Sequence, residues 1–259
     1  MPPEDAPFGA DWLHAPWHGG RVGALMTTRR GGCSGPPWAG LNLGDHVSDD
    51  AAAVARNRAD LARVIGAAPV FLRQVHGRRV IRLRRADTLS GAAPHEADAS
   101  LTSEPNIACC VLVADCLPLL MSAPGGAAVA AVHAGWRGLA AGVVEAALDA
   151  LCAAAGCAPA ELAVWLGAAI GPGRFGVGAD VRDAFGAGAA SRFAAAPSRA
   201  GVPKWHADLA GLARDRLAAC GVREVSGGDR CSASDASAFF SFRRDGVTGR
   251  MAAAVWITG

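Results

Sequence analysis

The sequence predicts an α+β protein: a single-domain α/β sandwich over residues 1–259, with mixed β-sheets in the core and helices outside. Two observations predict this class. Strand-like and helix-like segments are mixed along the chain without strict βαβ alternation, which favours mixed sheets. Apolar patterning is continuous, no linker separates regions of different composition, and hydrophobic residues make up 51% of the chain. A chain of this length can bury a full core without disulfides.

Apolar runs that are bounded by turn residues predict the strands. These runs are Val22–Thr28, Val70–Val75, Val80–Leu83, Ile107–Val113, Ala127–Val132, Leu162–Leu166 and Met251–Ile257. The adjacent Cys109 and Cys110 fall inside one of them and are expected to be buried strand residues.

Capping residues and apolar periodicity predict three helices. The first begins after a cap within Ser48–Asp50, and the second spans about Gly138–Ala155 and ends at Gly156. The third spans Asp208–Cys220. The Ala/Gly-rich segment Phe185–Ala200 is expected to be a surface loop or insertion.

Charge and composition exclude several classes of partner. The net charge of +2 gives no bulk electrostatic attraction to nucleic acid or anionic lipid, so neither partner is expected. The longest run without Asp, Glu, Lys or Arg, Cys116–Trp136, is broken by Pro and Gly and does not predict a membrane span. The N-terminal residues lack the pattern of a signal peptide, and the eight cysteines are then expected to be reduced thiols. We therefore expect a cytoplasmic monomer.

Three apolar segments end in a reactive side chain beside Gly or Pro: Gln74–Gly77, Ala114–Pro118 and Val132–Gly138. Together they supply one Cys and two His, a ligand set that suits zinc or copper and would leave the fourth tetrahedral position of a zinc ion open. Asp115 alternates with its neighbour Cys116 along the strand, so it is expected to point away from a metal or to act only through a metal ligand, and it is not counted as a ligand. The spacings match no zinc finger, and each residue taken singly also fits a structural role in the core.

A second set of residues is cationic. Arg29 and Arg30 enter a glycine turn, Arg137 lies in the segment that follows His133, and Arg243 and Arg244 precede another glycine. Paired arginines beside glycine suit bidentate binding of phosphate or carboxylate. A solvated turn with an Arg–Asp pair is the alternative.

These segments together resemble the YfiH/YlmD family, formerly described as multicopper polyphenol oxidases or laccase-domain proteins and including the human protein FAMIN. The resemblance is carried by Thr27–Gly32, Leu41–Gly44, His46-Val47 with Asp49-Asp50, Gln74–Gly77, Glu96–Ala99, Ala114–Pro118, His133–Gly138, Gly167–Pro172 and Phe239–Arg250. It implies a zinc site, with copper as the other possible metal, formed by His76, Cys116 and His133, which are also the implied catalytic residues.

The same resemblance implies phosphorolysis of adenosine, inosine and guanosine type nucleosides and deamination of adenosine. The small-molecule partners would be a purine nucleoside and phosphate. Arg29, Arg137 and Arg243 are the candidate phosphate-binding cations, and at least one is expected to line the same cavity as His133. Asn42 is a candidate for hydrogen bonding to sugar or base, or alternatively a turn cap.

Two positions depart from the family pattern. Gly176 stands where the family commonly has Glu, and Phe242 stands where Tyr is usual. The first departure removes a carboxylate, and the second removes a hydroxyl.

Other functions use the same residues. The resemblance also implies an amide hydrolase that edits peptidoglycan precursors, which could act with zinc, or with Cys116 as nucleophile and His133 as base. A non-catalytic zinc-binding protein would be expected to add a fourth ligand, for which His46 and Cys231 are available. A multicopper oxidase is the weakest alternative, because its copper centres need many histidines and the chain has seven.

Overall fold

The computed structural model describes residues 8–17, 20–89 and 91–259. The strands in these residues are β1 (Leu13–His14), β2 (Val22–Met26), β3 (Ala68–Val70), β4 (Val80–Arg82), β5 (Ala99–Thr102), β6 (Ile107–Val113), β7 (Leu117–Ser122), β8 (Val129–Ala134), β9 (Ala163–Leu166), β10 (Gly176–Val177), β11 (Phe193–Arg199), β12 (Val202–Ala207), β13 (Glu224–Gly227) and β14 (Met251–Ile257). The α-helices are α1 (Ala51–Ile65), α2 (Trp136–Ala140), α3 (Val143–Ala155), α4 (Ala179–Phe185), α5 (Leu209–Ala219) and α6 (Phe242–Asp245).

Two mixed sheets form the centre of the fold. The six-stranded sheet has the order β13-β9-β7-β8-β5-β4, with a parallel pair at each end and antiparallel pairs between them. The five-stranded sheet has the order β1-β2-β14-β6-β3, and only its β6–β3 pair is parallel. A third, separate sheet is antiparallel and has three strands in the order β10-β12-β11. The prediction of mixed sheets is confirmed.

The two mixed sheets share one apolar layer. Side chains alternate between the faces of a strand, so every second residue of β6 enters this layer. Cys109 and Val111 of β6 lie there with Leu120 of β7 and Ala131 of β8. Cys110 lies in the cluster on the opposite face of the five-stranded sheet. Both cysteines are fully buried as predicted, but their side chains pack on opposite faces of the sheet.

Helices cover the outer faces of both sheets. Leu148 of α3 and Leu212 of α5 belong to the cluster that packs on the six-stranded sheet. Leu61 and Ile65 of α1 belong to the cluster on the five-stranded sheet. The layer order is therefore helix, sheet, sheet, helix, which confirms the prediction of helices outside. None of the helices in the described ranges combines the length and apolarity needed to cross a bilayer.

The ends of helix α1 follow from local chemistry. The Asp50 side chain accepts hydrogen bonds from the backbone N–H groups of Ala52 and Ala53, which have no partner within the helix. Gly66 ends the helix with a left-handed φ of 64°. Asp208 caps α5 in the same way, through the N–H of Gly211.

Three predicted elements differ from the structure. The predicted second helix is two helices, α2 and α3, because Gly142 adopts a left-handed φ of 91° between them. The predicted strand Val70–Val75 ends at Val70. Beyond it, the side-chain amide of Gln74 takes the place of a strand backbone, because it donates to the backbone oxygen of Leu112 and accepts from the Leu112 N–H. The expected loop at Phe185–Ala200 contains strand β11, which gains its backbone partners from β12.

Candidate metal centre

Two of the predicted metal ligands lie at the same end of neighbouring strands. Cys116 immediately precedes β7, and His133 lies near the end of β8. β7 and β8 are antiparallel, and Pro118 pairs with His133 in their register. Antiparallel pairing therefore brings Cys116 beside His133, although the two residues are far apart in the sequence.

The third predicted ligand, His76, comes from the loop between β3 and β4. Its backbone has a left-handed φ of 59°, which is unusual for a residue with a side chain. Asp98 stabilises this loop: its carboxylate accepts hydrogen bonds from the backbone N–H groups of Val75 (3.2 Å), His76 (2.8 Å) and Gly77 (2.7 Å). The strained conformation persists because these bonds hold it.

The three predicted ligands converge on one point. The Cys116 Sγ lies 3.8 Å from His76 Nε2, and the ligand atoms of His76, Cys116 and His133 all lie within 4.8 Å of one another. Tetrahedral zinc, with bonds of about 2.3 Å to sulfur and about 2.0–2.1 Å to nitrogen, separates such atoms by about 3.3–3.6 Å. The donor set and the spacing therefore fit a zinc ion after a small contraction.

The access to this cluster is one-sided. His133 is buried, with 3% of its surface exposed, whereas Cys116 is half-buried and His76 is exposed. The cluster is therefore open on the side of His76 and Cys116 and closed on the side of His133.

Glycines in the segment after His133 make room for the cluster. A Cβ on Gly135 would lie 2.8 Å from His76 Cδ2 and 3.0 Å from Cys116 Sγ. A Cβ on Gly138 would lie 2.7 Å from the backbone oxygen of Gly77. Both positions require glycine because the loop that carries His76 packs directly against them.

The charges of Cys116 and His133 depend on each other. Burial alone would raise the pKa of Cys116, but the charge of His133 and hydrogen bonds with both imidazoles outweigh it and lower that pKa to about 6. Burial alone would lower the pKa of His133, but Cys116 and Asp98 raise it to about 9. At a pH between these two values the metal-free pair is therefore a thiolate beside an imidazolium, and the thiolate is the form that binds metal.

The two residues considered as a fourth ligand do not join this cluster. Among the residues that the structure describes, the potential metal-ligand group contains only His76, Cys116 and His133. His46 instead contacts Asp45 at 3.4 Å, and Cys231 accepts a hydrogen bond from the Gly171 N–H. A three-residue set is typical of catalytic zinc, whereas structural zinc usually has four protein ligands.

Asp115 lies outside the metal-ligand group. Its carboxylate accepts hydrogen bonds from the Ser232 hydroxyl (2.6 Å) and from the backbone N–H of Arg243 (2.7 Å). A left-handed φ of 93° at Asp115 turns the chain between β6 and β7. The bond from Arg243 attaches helix α6 to the residue that precedes Cys116.

The three predicted phosphate-binding arginines each stack on an aromatic ring. Arg29 lies 4.6 Å from the Phe240 ring centroid, Arg137 lies 4.5 Å from that of Trp136, and Arg243 lies 5.4 Å from that of Phe175. The ion pairs found in the described residues include none of the three. A cavity shared with His133 stays a prediction.

Asn42 is completely buried and bonded to the protein. Its amide nitrogen donates to Gly44 O and to the Asp49 carboxylate, and its oxygen accepts from the N–H groups of Gly44 and Arg250. These four bonds use the full hydrogen-bonding capacity of the amide. The contacts match the turn-cap alternative, and binding to sugar or base stays a prediction.

The two departures from the family pattern lie near Arg243. Gly176 is exposed, and among the described residues the nearest atom to a Cβ there would be His206 Cδ2, at 4.0 Å. Its backbone oxygen accepts a hydrogen bond from Arg243 Nη1 at 2.9 Å. The backbone carbonyl thus contacts a guanidinium at the position where the family commonly carries a carboxylate. Phe242 is exposed and packs near Arg250.

Two residues at this site, Asp98 and Arg250, were not among the predicted site residues. Asp98 precedes β5 and its carboxylate accepts from His133 Nδ1 at 2.8 Å. The Glu96–Ala99 segment was visible as a motif, but nothing in it indicated this partner. Arg250 immediately precedes β14. Burial lowers the pKa of its guanidinium, and the negative charges of Cys116 and Asp115 act against that shift.

The chain is similar to proteins of known name along nearly its whole length. Residues 23–258 match the family described as multi-copper polyphenol oxidoreductase laccase. A Pseudomonas aeruginosa protein named purine nucleoside phosphorylase PA4543 is 48% identical over 248 residues, which is 95% of this chain and 98% of that protein. The Escherichia coli protein named purine nucleoside phosphorylase YfiH is 45% identical, over 91% of this chain and 94% of that protein.

Solved structures agree with the fold. The Neisseria meningitidis protein NMB0706 has a TM-score of 0.86 and 42% identity, covering 96% of this chain and 99% of that one. YlmD from Geobacillus stearothermophilus has a TM-score of 0.84 and 31% identity, covering 96% of each chain. The chain therefore belongs to the multi-copper polyphenol oxidoreductase laccase family, the family of YfiH and YlmD.

Proposed function

We propose that this protein is a zinc-dependent purine nucleoside enzyme that phosphorolyses adenosine, inosine and guanosine and deaminates adenosine. The observation that carries the proposal is the similarity, over 95% of the chain, to a relative named purine nucleoside phosphorylase. The convergence of His76, Cys116 and His133 supports a metal-dependent reaction at one accessible site.

In the phosphorolysis, an oxygen of inorganic phosphate bonds to C1′ of the ribose while the bond from C1′ to the purine nitrogen breaks. The purine leaves with a proton and the sugar becomes ribose 1-phosphate. Phosphate needs cationic donors near the reacting atoms. Arg29, Arg137 and Arg243 support this role because each guanidinium is held on an aromatic ring and is not neutralised by a carboxylate in the described ion pairs.

In the deamination, the oxygen of water bonds to C6 of adenosine and ammonia leaves, which gives inosine. His76, Cys116 and His133 would hold the zinc, which when bound supplies Lewis acidity that makes water a stronger nucleophile near neutral pH. The buried face of the cluster, formed by His133, excludes solvent, and the exposed His76 side admits the substrate.

A product assay tests both activities. Zinc-loaded protein is incubated with adenosine, with and without phosphate, and the products are separated by chromatography. We expect adenine only when phosphate is present, inosine in both conditions, and hypoxanthine from phosphorolysis of that inosine. Cys116→Ala is expected to form none of them, whereas Cys33→Ala, at an exposed cysteine outside the metal cluster, should match wild type. Absence of all three products with the wild-type protein would refute the proposal.

A cysteine hydrolase is the second candidate, and one observation favours it. Asp98 bonds His133 Nδ1, and His133 in turn stabilises the Cys116 thiolate, which is the order of groups in a Cys–His–Asp nucleophilic site. An amide of a peptidoglycan precursor would be a substrate of this reaction. His76→Ala separates the two functions: it removes a zinc ligand and should abolish the zinc-dependent activity, but a metal-free cysteine hydrolase would keep its activity.

A further inference from the structure

We propose that Asp98 is the positioning residue that assembles the metal ligands, by placing the His76 loop and the His133 ring with one carboxylate. This inference rests on the zinc site of the proposed function and extends it to a residue that does not contact the metal. Asp98 is completely buried and immediately precedes strand β5.

The carboxylate of Asp98 receives four hydrogen bonds from two separate parts of the chain. Oδ1 accepts from the backbone N–H of His76 and from Nδ1 of His133, each at 2.8 Å. Oδ2 accepts from the backbone N–H groups of Gly77 (2.7 Å) and Val75 (3.2 Å). The same oxygen atom therefore contacts both histidines and fixes their relative position.

These contacts also determine which nitrogen of His133 binds metal. The carboxylate holds a proton on Nδ1, so Nε2 is the nitrogen that would give up its proton and bind metal beside Cys116 and His76. The backbone contributes as well, because the His133 N–H donates to the backbone oxygen of Asp98 at 2.7 Å. Asp98 thus holds both the ring and the backbone of His133.

An asparagine cannot reproduce this arrangement. All four partners of the Asp98 carboxylate are donors, and each oxygen accepts from two of them. The NH₂ group of asparagine would face at least one backbone N–H donor in either orientation of the amide. It could keep a bond to His133 only if the ring proton moved from Nδ1 to Nε2, the nitrogen that would bind metal. Asp98→Asn therefore keeps the size of the side chain and removes its ability to place both histidines.

The matched control is Asp87→Asn. Asp87 lies outside the site, is half-buried and has the same kinds of hydrogen-bond partner: its carboxylate accepts from His95 Nε2 and from the backbone N–H of Arg84, both at 2.7 Å. Removing that charge tests for any general effect of replacing an aspartate that is bonded to a histidine. Neither Asp87 nor His95 belongs to the metal-ligand group.

The test measures zinc affinity by competition with a chromophoric chelator and records the absorption spectrum of the cobalt-substituted proteins. We expect Asp98→Asn to bind zinc about 10–100-fold more weakly than wild type and to give a cobalt spectrum of altered intensity. Asp87→Asn should match wild type in both. Wild-type affinity and spectrum in Asp98→Asn would overturn this assignment and leave the zinc site intact, whereas failure of the wild-type protein to bind zinc would overturn both.

A measurement on the wild-type protein covers the case in which Asp98→Asn does not fold. Nitrogen NMR during a zinc titration identifies the protonated and the metal-bound nitrogens of His133. We expect Nδ1 to stay protonated throughout and the Nε2 resonance to shift with zinc. Metal binding through Nδ1, or loss of the Nδ1 proton, would overturn the assignment.

Discussion

Replacing Gly135 with alanine changes the metal centre by one methyl group. The new Cβ would lie 2.8 Å from His76 Cδ2 and 3.0 Å from Cys116 Sγ. Carbon atoms in contact are normally about 3.5–4.0 Å apart, so His76 would have to move by about 0.7 Å or more. Metal–ligand distances tolerate only about 0.2 Å. The backbone itself accepts alanine, because Gly135 has φ −62° and ψ 155°, so the contact with the ligands is the only source of strain.

The expected magnitude follows from two opposing effects. Overpacking costs about 1–3 kcal/mol, and the lower chain entropy of alanine returns about 0.4–1 kcal/mol. The zinc-free variant should therefore lose at most about 2–3 kcal/mol of stability. Zinc affinity should fall by at least about tenfold, the smallest effect expected even for changes outside the metal ligands.

The assay compares zinc affinity and thermal unfolding of Gly135→Ala with those of Gly188→Ala. A Cβ on Gly188 would meet no described atom within 4 Å apart from its neighbours in the chain, and this glycine has no left-handed φ. Its replacement should leave zinc affinity at the wild-type value and leave thermal stability unchanged or slightly raised, by the same entropy effect. Wild-type zinc affinity in Gly135→Ala would refute the reasoning, because the methyl group and an undisturbed pair of ligands cannot occupy the same space.

Three further predictions concern other residues of the site. In zinc-free protein, the alkylation rate of Cys116 is measured as the difference between wild type and Cys116→Ala. This rate should be constant above about pH 7 and fall as the pH drops through about 6, because the thiol pKa is lowered to about 6. A rate that keeps rising to about pH 8.5, as for an ordinary thiol, contradicts this. Asn42→Ala should destabilise the protein by about 1–3 kcal/mol, seen as a lower Tm, because buried groups such as the Arg250 N–H lose their partner; an unchanged Tm contradicts this. Arg137→Gln should raise the KM for phosphate and leave zinc affinity unchanged, and an unchanged KM would remove Arg137 from the phosphate site.

The sequence could predict the elements whose signals are local. β6 and β14 have the predicted bounds, because each is a continuous apolar run buried on both faces. The cap at Asp50 was also predictable, since a short acid before an apolar-periodic run is a local signal. The break at Gly142 was not, because the apolar periodicity of Leu139, Val143 and Ala147 continues across it.

The metal ligands could be proposed from the sequence, but the residue that positions them, Asp98, could not. Cys116 and His133 end apolar runs beside Pro or Gly, and that pattern is visible without a structure. Asp98 is a single acid before a strand and resembles many turn residues until the register of β5 and β8 places it beside His133. Strand β11 was missed for a related reason: its Ala-rich sequence has little strand preference of its own, and pairing with β12 determines its conformation.

The position of β14 in the five-stranded sheet has a consequence for folding during synthesis. β14 lies between β2 and β6, yet it is the last strand of this sheet to leave the ribosome. Until Met251–Ile257 emerges, β2 and β6 each expose an unpaired apolar edge, and such edges promote association between chains. We therefore expect nascent or truncated chains without β14 to depend on chaperones, while all the metal ligands have already been synthesised.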